Sequence, residues 1–135
     1  MTARDIVAET LHFWSAQDVE STLAHFHPNV VYRMNLDREL VSLGGETRGI
    51  DAVRAALFGL LEHWDYLRWT SDIVQADDCF VRVKIDAIFH HRRSGRDLTD
   101  TYRIVFEVED DLIVRIDEFH DRAKIEAFLA MTAAL

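Results

Sequence analysis

The sequence predicts an α+β domain: apolar residues recur at helical spacing up to Trp64, the period changes to two from Leu67 onward, and a final short stretch returns to helical spacing. Thr2 and Asp5 stand three apart as in a capping box, and Ile6, Val7, Leu11 and Trp14 follow along one stripe. A helix over about residues 3 to 16 is expected. Asp18 is placed to cap a second, shorter helix with Val19, Leu23 and Phe26 inward. Pro28 forbids its continuation, having no N–H and a ring that clashes with the preceding turn. Val30-Val31-Tyr32 then reads as a strand. Gly44-Gly45 and Gly49 break the chain before the clearest helical pattern, in which Ile50, Val53, Leu57, Leu60, Leu61 and Trp64 share a face.

Four strands are expected next, at about 67 to 76, 78 to 91, 98 to 109 and 112 to 120, with Ser94-Gly95 and Asp110-Asp111 at hairpin turns. Consecutive hairpins make an antiparallel meander. Asp121 caps a last short helix carrying Ile125, Phe128 and Leu129.

With 135 residues, 49% hydrophobic and 29% charged, the chain is expected to form a single domain, 1–135, around its own core. The formal charge of -9, from 24 acidic and 15 basic residues, repels a phosphate backbone, so no nucleic-acid partner is expected. Cys79 is the only cysteine, which excludes an internal disulfide and fits a reducing cytoplasm. Met-Thr-Ala-Arg-Asp leads straight into the amphipathic pattern and no apolar run approaches ~18 residues, so neither a signal peptide nor a membrane span is expected.

Strand pairing locates the charges. A two-residue turn at Asp110-Asp111 pairs Glu109 with Leu112, so partner numbers sum to 221 and Arg103 falls opposite Glu118. At the other hairpin a sum of about 189 sets Asp86 opposite Arg103, with Lys84 on the same face. One row then reads Asp86, Arg103, Glu118. A slip of one residue would send one strand's charges to the opposite face. The other face gathers Val81, Val83, Ile85, Ala87, Phe89, Tyr102, Ile104, Phe106, Ile113 and Phe119, too apolar to leave wet. Helices cover one face of the sheet, and a second copy of the chain is expected on the other, giving a homodimer through the outer sheet face. Solvated, the row is an ion ladder worth little. Beneath the helices, burial and like-charge proximity would part the two carboxylates' pKa values into an acid and a base.

The order of elements, with Val30-Val31-Tyr32, Gly49-Ile50-Asp51-Ala52-Val53 and Ile113 through Asp121, resembles the nuclear transport factor 2-like superfamily. The SnoaL-like polyketide cyclases, ketosteroid isomerase-like proteins and limonene epoxide hydrolase are the groups it is most similar to. The resemblance implies a cystatin-like cone: a strongly curved, mostly antiparallel sheet wrapped around the N-terminal and central helices, with a short C-terminal helix and an apolar pocket. Dimers through the outer face are implied too. Lys84-Ile85-Asp86 resembles the Arg-x-Asp strand of the epoxide hydrolase, Glu118 falls at its second catalytic Asp, and Tyr32 matches its water-holding tyrosine. Lys84 departs from that pattern by replacing an arginine, Glu118 by replacing an Asp, and Met34 by standing where an Asn would. In the isomerase scheme Asp37 would be the base, and Arg103 beside the row disfavours a neutral oxyanion hole.

No histidine group has the spacing of a zinc or iron motif, so no metal and no cofactor are expected; His90 and His91 adjoin two arginines at a hairpin tip, as a solvated loop. Cys79 lies beside Asp77 and Asp78, which disfavours a thiolate nucleophile. The expectation is a small lyase, isomerase or hydrolase acting on an apolar oxygenated molecule. Asp86 and Glu118 share acid/base duty in it, Tyr32 and Lys84 orient substrate or water, and Arg103 holds Glu118 ionised or bridges the pair. Trp14, Met34, Leu60, Trp64, Ile116 and His120 form the substrate wall. The alternative is a non-catalytic domain that uses the same cone to bind a hydrophobic ligand or to dimerise.

Overall fold

Asp5 N donates to Thr2 Oγ1 at 3.1 Å and Thr2 N to Asp5 Oδ2 at 3.0 Å, which closes the capping box and starts α1 (Ala3–Ser15). The computed structural model describes residues 1–133. Ser21 N donates to Asp18 Oδ1 to begin α2 (Val19–Thr22), and one 3₁₀ turn over Leu23–His25 follows. Phe26 is not on that helix, as its spacing suggests, but opens β1 (Phe26–Met34). Pro28 sits within β1 where pairing with the neighbouring strand jumps from Phe26 to Val31, so its missing N–H interrupts no regular ladder.

β2 (Gly45–Arg48) was not expected, because Gly-Glu-Thr-Arg has neither alternation nor apolar weight. It pairs antiparallel with β1. The loop before it is tight: a Cβ on Gly44 would stand 2.6 Å from the Leu36 carbonyl oxygen, which only glycine avoids. Then come α3 (Ile50–His63), β3 (Trp64–Ala76), β4 (Phe80–His91), β5 (Arg96–Glu109), β6 (Leu112–Phe119) and α4 (Arg122–Ala133). Lys124 N donates to Asp121 Oδ1, which caps α4 as the sequence suggests.

The sheet order is β2-β1-β6-β5-β4-β3, antiparallel throughout except for the β1–β6 pair. α1 packs on β3 and β4, and α3 on β1, β2 and β3, so both helices lie on one face of the curved sheet. Bulges near Tyr66, Ile73 and Val108 help to bend it. Val81, Val83, Ile85, Ile113 and Ile116 are at most 1% exposed beneath the helices, in one continuous core. No helix among the described residues is long and apolar enough to cross a membrane.

The charged row comes apart in the register. Asp110 and Asp111 both have positive φ, 49° and 62°, the signature of a type I′ hairpin, and Glu109 pairs with Leu112 as expected. A bulge at Val114 then adds one residue, so Ile104, not Arg103, lies opposite Glu118, and Arg103 faces Phe119. The β4–β5 loop is longer than the two residues expected, pairing His91 with Arg96, but its parity is unchanged. Lys84 therefore opposes Arg103, and Asp86 opposes Thr101. Asp86, Lys84 and Arg103 stay on the outer face while Glu118 turns inward. Phe119, expected in the core, is 51% exposed for the same reason.

Candidate active site

β6 sets the centre of the site. The bulge phases Ile116 and Glu118 inward, and Glu118 is 6% exposed. Because β1 and β6 run parallel with Tyr32 beside Ile116 and Met34 beside Glu118, the Tyr32 hydroxyl reaches Glu118 and donates to Oε1 at 2.5 Å. Glu118 Oε2 lies 2.5 Å from His120 Nε2.

His120 follows the end of β6, where a strand would ordinarily fray. Its N–H donates to Asn35 Oδ1 at 2.8 Å, and its carbonyl accepts from Asn35 Nδ2 at 2.9 Å. The Asn35 amide thus carries the β1–β6 ladder one step further and fixes the origin of the imidazole. On β5, Asp100 Oδ2 lies 2.8 Å from His120 Nδ1. The Tyr102 ring stacks on the imidazole at 4.2 Å and 26°, and its hydroxyl accepts from Trp69 Nε1 at 2.8 Å.

Two carboxylates buried in an apolar interior are costly unless paired. Asp100 is 2% exposed. Burial alone would strip the imidazole of its proton, but hydrogen bonds to Asp100 and Glu118, and then their charges, outweigh it and lift His120 to about 9. The group is an imidazolium at neutral pH. Burial first, and then the Glu118 charge, push the Tyr32, Tyr66 and Tyr102 hydroxyls far up, so all three remain neutral donors.

Two cavities meet along Leu60, Tyr66, Tyr102 and Glu118. One, reaching Met34, Trp64, Phe89, Asp100 and His120, offers about 60 Å³ to the centre of a water-sized sphere. Its partner, reaching Trp14, Tyr32, Trp69 and Ile116, offers about 50 Å³. A water needs ~10–15 Å³ on this measure, so each holds a few water-sized groups. α4 closes one side with Ile125, and a wider groove of about 400 Å³ shares Val41, Leu60 and Trp64 with the first cavity.

All six expected wall residues, Trp14, Met34, Leu60, Trp64, Ile116 and His120, border these cavities, as do Tyr32 and Glu118. Asp86, Lys84 and Arg103 do not. Asp86 is 53% exposed, accepts from Thr101 Oγ1, and stands 4.0 Å from Lys84 Nζ, an exposed pair of the kind that contributes little. Asp86→Asn and Arg103→Ala are each expected to change the urea unfolding free energy by less than about 0.5 kcal/mol. A loss of several times that would place them in a network the register denies.

Asp100 is the residue the sequence reading missed. Leu98, Tyr102, Ile104, Phe106 and Val108 alternate inward on β5, and Asp100 is the one charged residue among the buried positions of that phase. A charge in the buried phase of a strand was the available signal.

No curated protein matches the sequence. A family model for the SnoaL-like domain matches residues 7–116. Among solved structures, an NTF2-like protein of unknown function from Burkholderia pseudomallei is 20% identical, with a TM-score of 0.82 over 93% of this chain and 95% of that one. A provisionally named isomerase from Bacillus subtilis is 18% identical, with a TM-score of 0.77 over 93% and 91%. A provisionally named SnoaL-like polyketide cyclase from Mesorhizobium loti is 10% identical, with a TM-score of 0.75 over 89% and 100%. These likenesses show an NTF2-like fold, and the family match spans most of the chain: it belongs to the SnoaL-like domain family.

Proposed function

We propose that this protein is an acid/base enzyme of isomerase or cyclase type that moves a proton on a small carbonyl compound with an apolar body. The observation that carries the reading is the Asp100–His120–Glu118 chain, three titratable groups in line at an apolar cavity and away from bulk water. Glu118 borders both cavities and is the base that takes a proton from the carbon next to the carbonyl. Neutral tyrosine hydroxyls answer the charge that develops on the oxygen. Tyr102 is the best placed, since its oxygen already accepts from Trp69 and its proton is free to donate. His120, oriented by Asp100, keeps the charged centre balanced as Glu118 gains and returns the proton. The names of the isomerase and cyclase neighbours agree with this class. The cavities, as they stand, fit a compact substrate better than a flat polycycle.

The test is hydrogen–deuterium exchange at the α-carbons of small cyclic ketones, cyclopentanone among them, followed by NMR. Exchange that rises in proportion to protein concentration supports the reading. Cyclopentanone that binds but exchanges at the buffer rate overturns it. That outcome supports the second reading, a non-catalytic binding site, which is favoured by one observation: both His120 nitrogens and both Glu118 oxygens already have protein partners.

We also propose a homodimer through the outer sheet face, although the helices cover the more apolar of the two faces. Exposed Phe80 and Phe119, with half-buried Ile88, Val105 and Leu112, remain on the outer one. Light scattering is expected to give twice 15.7 kDa; a 15.7 kDa particle contradicts the dimer.

A further inference from the structure

Asp100 Oδ1 is buried and has no hydrogen-bond partner among the described residues, although Oδ2 is held by His120. The residue borders the first cavity. A buried carboxylate oxygen left without a donor is strongly unfavourable, and because Asp100 borders the cavity, a small rotation of its side chain would let a donor there reach that oxygen. Charge narrows what that donor is. Of the ionic side chains, Asp100, Glu118 and His120 border this cavity and no lysine or arginine does. An imidazolium between two carboxylates leaves one negative charge in excess in a low-dielectric space. The remaining wall is apolar and includes four aromatic rings, Trp64, Tyr66, Phe89 and Tyr102, with neighbouring ring centres 4.8 to 6.4 Å apart. Ring faces attract cations and also cover an alkyl body.

We propose that the cavity selects a small organic ammonium ion whose N–H donates to Asp100 Oδ1 and whose apolar body lies against Trp64, Tyr66 and Phe89. A neutral alcohol supplies the hydrogen bond but leaves the excess charge, and a carboxylate is repelled by it. The inference rests on the reading of the cavity as a substrate site and adds the substrate class: a carbonyl compound that also carries an amine. It does not require that the site be catalytic.

The test uses the full chain and three probes of one shape, cyclopentylammonium, cyclopentanol and cyclopentanecarboxylate, titrated by calorimetry at pH 7. The ammonium ion is expected to bind at least about tenfold more tightly than the alcohol, with the carboxylate weakest. Asp100→Asn is expected to cut the ammonium ion's advantage over the alcohol from at least about tenfold to within about threefold. Equal or tighter binding of the alcohol, or no binding of any probe, overturns the proposal. The wild-type ranking decides even if the variant does not fold. None of the probes is a ketone, so a protein that ranks the ammonium first yet exchanges no α-proton upholds this inference and sinks the catalytic one.

Discussion

Glu118→Gln is expected to slow protein-catalysed α-proton exchange of cyclopentanone by about 10²- to 10⁴-fold, the usual contribution of a general base. That is a barrier increase of roughly 3 to 5 kcal/mol. Glutamine keeps the size of glutamate, its carbonyl still accepts from the Tyr32 hydroxyl, which donates to Oε1 in the native chain, and its amide N–H donates to a His120 Nε2 that no longer carries a proton. It lacks the charge that takes up a proton. The near-ultraviolet circular dichroism of the variant should match the parent, separating lost chemistry from lost packing. A folded variant with exchange within about threefold of wild type would remove Glu118 from the base role, since the general-base contribution is far larger than that.

The second large effect concerns stability and pH. His120 is raised from 6.5 to about 9 in the folded chain, with its side chain 7% exposed and so little screened by water. A group whose folded pKa is raised stabilises most when it is protonated in both states. Its contribution is fully present below about 6.5, declines between 6.5 and 9, and is gone above about 9. At 1.36 kcal/mol per unit the total is roughly 3 kcal/mol. Urea unfolding of wild type and His120→Gln across pH 6 to 10 isolates it, because glutamine does not titrate. The wild-type advantage should shrink by about that amount as the pH rises. An advantage that is constant or grows with pH carries the opposite sign and contradicts the imidazolium.

The sequence made most of the architecture legible because long-range packing reinforces local periodicity. α1, α3 and the meander follow patterns that burial on one face enforces. β2 was invisible for the converse reason: a four-residue strand with no apolar side chains is held by its neighbour, not by its own composition. The site fared differently. Tyr32, Glu118 and the expected wall residues do border the cavities, but the supposed partners of Glu118 were not its partners. Hairpin arithmetic is sound at the turn and fails at the first bulge, and nothing in Ile113-Val114-Arg115 announces that Val114 is the additional residue. One residue of slip exchanged Asp86 and Arg103 for His120 and Asp100 as the company Glu118 keeps. The inward phase of β5 held the correct clue, an aspartate among leucine, tyrosine, isoleucine and phenylalanine.

A buried carboxylate–imidazole–carboxylate chain also fixes structure, tying β5 to the end of β6, and the two roles are compatible. Asn35 illustrates the point: by pinning the backbone of His120 through two hydrogen bonds it serves the strand end and the imidazole alike. What a purely structural network has no need of is a cavity at its side and an oxygen on Asp100 without a donor.

The most direct measurement is the ¹⁵N chemical shift of the His120 ring as a function of pH. An imidazolium held between Asp100 and Glu118 requires both nitrogens to be protonated at pH 7 and to titrate together near about 9. One bare nitrogen at pH 7, with a titration at or below the ordinary 6.5, would contradict it.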